Sequence, residues 1–478
     1  MITHEFVVAA NRLPVRADAE GQWHLSPGGL VSALSAVMAD HDAVWIGWDG
    51  SMDGETEGAP PSRQGDMALR PIALTNKEFT DYYEGFANGT LWPLYHNGLL
   101  STRFKRSWWS AYVSVNRRFA EEIIAAASPN GTVWIHDYHL QLVPAIVRKQ
   151  RPDLRIGLFL HTPFPPSQLL MRLPWREEIL EGLLAADLIG FQTPTDARNF
   201  LALAHRSDRA PETLFEDNTA TIELDGRRMK VGSFPISIDV DRINQIANTP
   251  ETTAAAANFR ASLGDPAHLL LGVDRLDYTK GINARLKAFL ELLREGTLEP
   301  ESVAFVQVAT PSRDDVRGYE NTRAEIEQLV GEINGDYARL GRPVVHYLHQ
   351  NLPFEELIPL YMAADVMVVT PFEDGMNLVA KEYVASRTDG TGVLVLSEFA
   401  GTAVELHDAL LCNPFDIAGL KRLLLQAISM HPDEQSRRMD IMRRQVSNNT
   451  VYDWAKRFLD QLDTEPDRQS TTDGSARA

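Results

Sequence analysis

The chain has a single cysteine, Cys412, among 478 residues, which excludes an internal disulfide framework and points to a reducing compartment. Basic residues are also scarce: 46 Lys and Arg stand against 65 Asp and Glu, a formal charge of −19. That balance argues against a nonspecific nucleic-acid partner or an anionic membrane surface, so any phosphate ligand needs a locally basic pocket. No apolar run is long enough to span a bilayer. Residues Met1–Asn11 lack the apolar core of a secretory signal, and the cytoplasm is the expected location. There is no repeat of solenoid period. No strand-like run is followed by the G-x-G-x-x-G fingerprint of dinucleotide dehydrogenases.

What is present is 44% hydrophobic and 23% charged residues, a mixture that buries sizeable cores under a solvated surface. The length exceeds one core and predicts two large domains. Short β-branched runs alternate with helical stretches, the pattern of buried parallel strands in an α/β protein. The first half predicts strands at Phe6–Asn11, Ala43–Gly47, Thr132–His136, Arg155–His161, Leu188–Gln192 and Val231–Ile236. The second predicts Leu269–Val273, Val303–Ala309, Val344–Leu348, Val366–Thr370 and Val393–Leu396, with amphipathic helices such as Ile282–Arg294 and Thr322–Ile333 between them. Two doubly wound, Rossmann-like domains follow, 1–237 and 238–463, divided near Ile238 in the strand-poor stretch Ser237–Asp265. Asp49–Gly65, rich in Gly and Pro, reads as a loop, and 464–478 as a disordered tail.

Open parallel sheets bind ligands beyond the carboxyl ends of their strands, so the residues just after each strand are the ones to inspect. Gly28-Gly29 opens an apolar helix and offers either close backbone approach to an anion or a plain helix start. His136-Asp137-Tyr138-His139 and His161 follow two strands; His136, Asp137 and His139 could ligate a metal, but sugar-hydroxyl recognition by Asp137 and His161 is preferred. Asp239-Val240-Asp241 has the D-x-D form of a metal-diphosphate clamp but belongs to the linker. Arg275 and Lys280 bracket one short turn. They either stabilise a departing diphosphate without a metal or form surface salt bridges to Asp274 or Asp277. Glu373-Asp374-Gly375-Met376-Asn377-Leu378 follows a strand with a turn suited to an anion, and Glu382 on the next helix suits ribose hydroxyls or plain solvent.

Further motifs join these: Ala10-Asn11-Arg12-Leu13-Pro14, Gly47-Trp48, Tyr82-Tyr83-Glu84-Gly85-Phe86, Leu91-Trp92-Pro93 and Thr310-Pro311-Ser312-Arg313. In shared order over almost the whole chain, the set resembles the trehalose-6-phosphate synthases. These are retaining glycosyltransferases with two Rossmann-like domains facing a cleft, the GT-B architecture. The resemblance implies an acceptor-binding first domain, a nucleotide-sugar-binding second domain and a terminal helix crossing back to the first. It implies glucose transfer from a nucleotide-glucose, most often UDP-glucose, to glucose 6-phosphate. Arg12, Tyr83, Trp92 and Arg313 would hold the acceptor phosphate end, with Trp48 and Asp137 near its sugar. Arg275, Lys280, Gly28 and Gly29 would meet the donor diphosphate, and His161 and Asp374 the donor glucose. Gly375, Met376, Asn377, Leu378 and Val379 would lie along the donor, and Glu382 would take the ribose. Catalysis is expected to fall to Arg275, Lys280, His161 and Asp137, by front-face attack in preference to a covalent intermediate on Asp137. No metal or cofactor is expected, and a homo-oligomer is expected from the resemblance alone. A different phosphorylated acceptor, such as glycerol 3-phosphate, and a silent sugar-phosphate sensor are the competing readings.

Overall fold

The computed structural model describes residues 3–17, 22–26, 31, 34–35, 37–38, 41–53, 61–65, 67–98, 102–207, 213–216, 219–224, 226–311 and 317–464. Its described strands form two large sheets and a small hairpin. The first sheet runs Thr213–Glu216, Thr219–Leu224, Arg227–Ser233, Leu188–Phe191, Arg155–Phe159, Ala127–His136, His4–Arg12, Ala43–Met52, Met67–Leu74 and Arg63–Gln64 in spatial order. Its central strands pair in parallel, and antiparallel partners occur only at its two ends. The second is parallel throughout, in the order Val345–Leu348, Val303–Thr310, His268–Arg275, Val366–Val369, Val393–Ser397, Leu410–Cys412.

Each strand expected from the sequence has its counterpart. One reading needs correction: Asp49–Gly65 is not all loop, because the strand beginning at Ala43 runs on to Met52 and Arg63–Gln64 pairs antiparallel with Met67–Leu74. The continuing parallel ladder to Ile72 and Leu74 outweighs the local turn composition there. The expected 464–478 tail lies outside the described residues except for Thr464.

In the second sheet, strand His268–Arg275 is followed in the chain by Val303–Thr310 on one side, whereas Val366–Val369 lies on its other side. That reversal opens a crevice at their carboxyl ends. The first sheet reverses likewise at His4–Arg12, between Ala43–Met52 and Ala127–His136. Arg12 ends one strand of the first sheet and Asp137 follows another at its crevice, and Arg275 ends one strand of the second and Asp374 follows another at its own.

The lobes are joined twice. After strand Arg227–Ser233 the chain passes through Ile236 and Ile238 to helix Val240–Ala247, capped by Asp239, whose side chain accepts the Arg242 N–H. After helix Pro432–Ser447 it returns, and helix Val451–Asp463 settles on the first sheet. Val451 N–H donates to Ile238 O at 3.1 Å, tying the two crossings together. Trp454, Phe458 and Leu462 then join Trp134, Phe159 and Leu188 in one buried cluster. Gly157 and Gly190 make this possible, because a Cβ on either would fall within 2.8 Å of the Phe458 ring. No described helix is long and apolar enough to cross a membrane.

Candidate active site

Two adjoining cavities lie where the carboxyl ends of the sheets face each other. The larger, about 480 Å³, is lined by Asn11, Arg12, His136, Asp137, His161 and Gln192 from the first lobe and Asp374, Met376, Asn377 and Leu378 from the second. The smaller, about 260 Å³, shares Asn11, Asp137, His139, His161 and Asp374 and adds Tyr83, Trp92, His96 and Arg275. Gly28, Gly29 and Arg313 lie outside the described residues.

The second lobe supplies the cations. Strand His268–Arg275 ends on Arg275, whose exposed guanidinium lies 5.4 Å from the centre of the Trp92 ring across the cleft. Lys280 Nζ donates to Asp374 Oδ2 at 2.6 Å, with both side chains mostly buried. Burial alone would raise the Asp374 carboxyl, but the Lys280 ammonium and a 3.0 Å bond from Asn377 Nδ2 hold it below its ordinary value. Asp274 and Asp277 have other partners as well. Asp274 pairs with buried Arg285 at 2.7 Å, and Asp277 accepts from the Thr279 N–H and the Tyr319 hydroxyl. Arg285 also donates to Lys280 O at 2.8 Å and to Thr370 Oγ1 at 2.9 Å, so it fixes the turn that carries Lys280. Gly281 completes that turn with φ of 61°, a conformation costly for residues with a Cβ.

The first lobe supplies the acid and the aromatic wall. Asp137 adopts φ 71° and ψ 172°, a backbone region used almost solely by glycine. Its N–H donates to Phe159 O at 2.7 Å, and its carboxylate accepts the His161 N–H at 3.2 Å. The strain is thus held by two bonds and sets the carboxylate at the cavity wall. Trp48 is buried beneath Arg12, whose guanidinium carbon lies 4.4 Å from the ring centre, and Tyr83 stands 5.9 Å from Trp48. Tyr83 belongs to a π-helical segment, Phe79–Leu91, that leads directly into Trp92. π-Winding is rare and concentrates at functional sites.

Burial disfavours the charged form of His136 and His161. Burial drives His161 down to about 3, and burial with the neighbouring His161 holds His136 well below its usual range. His136 Nδ1 is engaged by His161 Nε2 at 3.2 Å. Among the described residues no group of three His, Cys, Asp or Glu is arranged to hold a metal ion. Asp239 accepts from the Tyr452 hydroxyl at 2.8 Å in the hinge, and Asp241 is exposed on the following helix. Glu382 receives the Tyr361 hydroxyl at 3.1 Å, and burial raises its carboxyl to about 7. Val379, one helix turn away, packs on the second-lobe core.

Sequence reasoning noted Asn11 without giving it a role and passed over His96 and Gln192, and all three line the cavities. Gln192 stands directly after strand Leu188–Phe191, so the same sheet-edge rule that selected His161 applies to it.

Comparison with known proteins agrees with this arrangement. Residues 4–464 match the model of Glycosyltransferase family 20. The trehalose-6-phosphate synthase of Mycolicibacterium vanbaalenii is 50% identical over 469 residues, covering 96% of each chain. That of Mycobacterium avium is 50% identical over 467 residues, covering 96% of this chain and 95% of its own. The crystal structure of a UDP-forming alpha,alpha-trehalose-phosphate synthase from Burkholderia xenovorans, in complex with glucose-6-phosphate, superposes with a TM-score of 0.87. It is 34% identical and covers 96% of this chain and 100% of its own. An E. coli trehalose-6-phosphate structure bound with UDP-2-fluoro glucose gives 0.86 at 32% identity, covering 96% and 98%. With two facing sheets whose central strands are parallel, a crevice between them bearing Arg275 and Lys280, and a family match over nearly its full length, the chain belongs to glycosyltransferase family 20.

Proposed function

We propose that this chain transfers glucose from a nucleotide-glucose, UDP-glucose foremost, to glucose 6-phosphate with retention, forming alpha,alpha-trehalose 6-phosphate and the nucleoside diphosphate. One observation carries the reading: Arg275 and the Lys280–Asp374 pair of one lobe face Asp137 and His161 of the other across adjoining cavities. The relatives named above, one holding glucose-6-phosphate and one a UDP-sugar analogue, support the substrates.

The bond from glucose C1 to the diphosphate oxygen breaks while the anomeric oxygen of the acceptor bonds to C1 on the same face. The acceptor's hydroxyl proton passes to the leaving phosphate oxygen. Arg275 and Lys280 balance the charge that grows on the leaving group, in a site already folded around them. Asp137 and the aromatic wall of Trp48, Tyr83 and Trp92 orient the acceptor, and Arg12 with Arg313 takes its phosphate. Neutral His161 and Asp374 hold the donor sugar, and the Gly375–Val379 segment runs beside it. Fixed cations take the place a metal would otherwise fill, so turnover is expected to survive chelation and dialysis. The lone cysteine supports a cytoplasmic setting. A homo-oligomer rests on family resemblance, and sedimentation of the purified chain reads it.

The test is nucleoside diphosphate release with product analysis, offering UDP-, ADP- and GDP-glucose against glucose 6-phosphate and glycerol 3-phosphate. Trehalose 6-phosphate is the expected product. Preference for glycerol 3-phosphate, or binding without turnover, overturns the assignment.

The raised Glu382 carboxyl adds a pH prediction. Ribose hydroxyls donate, so ionised Glu382 is the form that binds, and binding must release the proton it carries below about 7. Donor affinity therefore rises with pH and levels off above about 7, with Kd worsening by up to about tenfold per unit on the acid side. Calorimetry in buffers of different ionisation enthalpy reads the proton directly. Glu373, also raised to about 7 by burial, remains in Glu382→Gln and serves as the internal control. If the parent and Glu382→Gln share one pH profile, Glu382 does not meet the ribose.

A further inference from the structure

We infer that Gln192 is a positioning residue for His161, fixing which imidazole nitrogen carries the proton and so holding the ring in one orientation beside the donor sugar. The inference deepens the glucosyl-transfer reading and rests on it for the identity of that sugar.

Gln192 is buried and cannot choose its own orientation. Its Oε1 accepts the Ile236 N–H at 3.0 Å, which turns the amide nitrogen toward His161 Nδ1, 3.4 Å away. An amide NH2 only donates, so Nδ1 must accept and the proton of His161 sits on Nε2. Nε2 then donates to His136 Nδ1 at 3.2 Å, which places the His136 proton on its own Nε2. The reverse polarity would set an Nδ1–H of His161 against the NH2 of Gln192 in a buried site, leaving two donors unpaired where the assigned polarity leaves one, the His136 Nε2–H, at about 1–3 kcal/mol each. Burial keeps a second proton off both rings.

Ile236 is itself held from the other lobe. Its carbonyl accepts Lys381 Nζ at 2.8 Å, and Lys381 is paired with Glu405 at 2.5 Å. Lys381 stands on helix Leu378–Ser386, directly after the Asp374–Asn377 turn. Gln192 is therefore oriented by the residue through which the first lobe contacts the donor-binding helix. Rotating it would strand the Ile236 N–H.

The experiment reads protons rather than turnover. In the full chain labelled with 15N-histidine and free of substrates, long-range proton–nitrogen correlation spectra report each tautomer, and His161→Gln assigns the resonance. The parent should show His161 protonated on Nε2. Gln192→Glu keeps the shape but presents only acceptors when ionised, so it should place a proton on His161 Nδ1. Gln192→Leu, which adds no charge, should yield a tautomer mixture. In both variants the KM for UDP-glucose should rise about tenfold, with the KM for glucose 6-phosphate changing less than about twofold. A parent already protonated on Nδ1 would overturn the inference, as would a pure Nε2–H signal in both variants. The two readings fail separately. A parent that makes no trehalose 6-phosphate but shows the expected tautomers sinks the substrate assignment alone, whereas normal transfer with unmoved tautomers sinks only the role of Gln192.

Discussion

Lys280→Met is expected to lower turnover by about 10²–10³-fold at saturating donor, the usual cost of removing one preorganised group from a site of developing charge. The ammonium has three donors, of which Asp374 takes one at 2.6 Å. Two remain for the diphosphate, and the Arg285 contact to Lys280 O keeps them in place before substrate arrives. The substitution also leaves Asp374 buried without its counter-charge, a defect of about 3–5 kcal/mol in comparable pairs. Stability and chemistry are separated by adding Asp374→Asn. The double variant should melt close to the parent, because no buried charge is stranded, yet remain as slow as the single variant or slower. Steady-state kinetics beside thermal melts give both quantities. Turnover of Lys280→Met within about threefold of the parent would make the residue a structural ion-pair member only.

Gly375→Ala should be comparably damaging for a steric reason. A Cβ at Gly375 would lie 2.2 Å from His161 O and 3.2 Å from the carbonyl carbons of His161 and Thr162. All of these atoms are backbone of the opposite lobe, and no side chain can swing aside. Relief requires the lobes to separate by about 1 Å, and misplacement on that scale costs on the order of 10²-fold in rate. Arg275 over Trp92 and the Asn97–Glu373 bond cross the same gap and would loosen with it. The expected result is a fall in kcat/KM for both substrates with little change in melting temperature. Gly331→Ala is the control. Its site on helix Arg317–Tyr337 has nothing within 4 Å of the new Cβ, and alanine there should leave turnover as it was. Equal activity in the two variants would show that the lobes need not approach this closely for catalysis.

The strands were legible because buried parallel strands are continuous β-branched runs, as in Leu269–Val273 and Val393–Leu396. Helix Ile282–Arg294 was read to the residue because its apolar period holds from end to end. The short pairings Arg63–Gln64, Trp23–Leu25 and Leu410–Cys412 were missed, since two or three residues carry no period, and so were the longer Thr213–Glu216, Thr219–Leu224 and Met67–Leu74, the last because Arg70 and Pro71 interrupt its apolar run. Nothing in the sequence of Phe79–Leu91 marks it as π-wound, although Tyr82 and Phe86 pack into the core beside Tyr112 on helix Arg106–Ala126. At the site, Arg275, Lys280, Asp137, His161 and Asp374 were found by the rule that ligands sit beyond strand ends, and they line or pair within the same cavities. Gln192 and Lys381 were given no role, because each acts through a partner distant in the chain, Ile236 and Glu405, and no local pattern encodes such a pairing.

The return of helix Val451–Asp463 bears on how the chain is made. The first sheet is complete in sequence by Ser233, yet among the described residues the face formed by Trp134, Phe159 and Gly190 is covered by Trp454, Phe458 and Leu462. At typical elongation rates the ribosome needs roughly 10–40 s to synthesise the intervening stretch. Throughout that interval the early lobe presents an aromatic surface with its cover still unmade, and a chain stopped anywhere before Val451 would carry that surface permanently. The second lobe can mature as it emerges, so the half translated first is the half finished last.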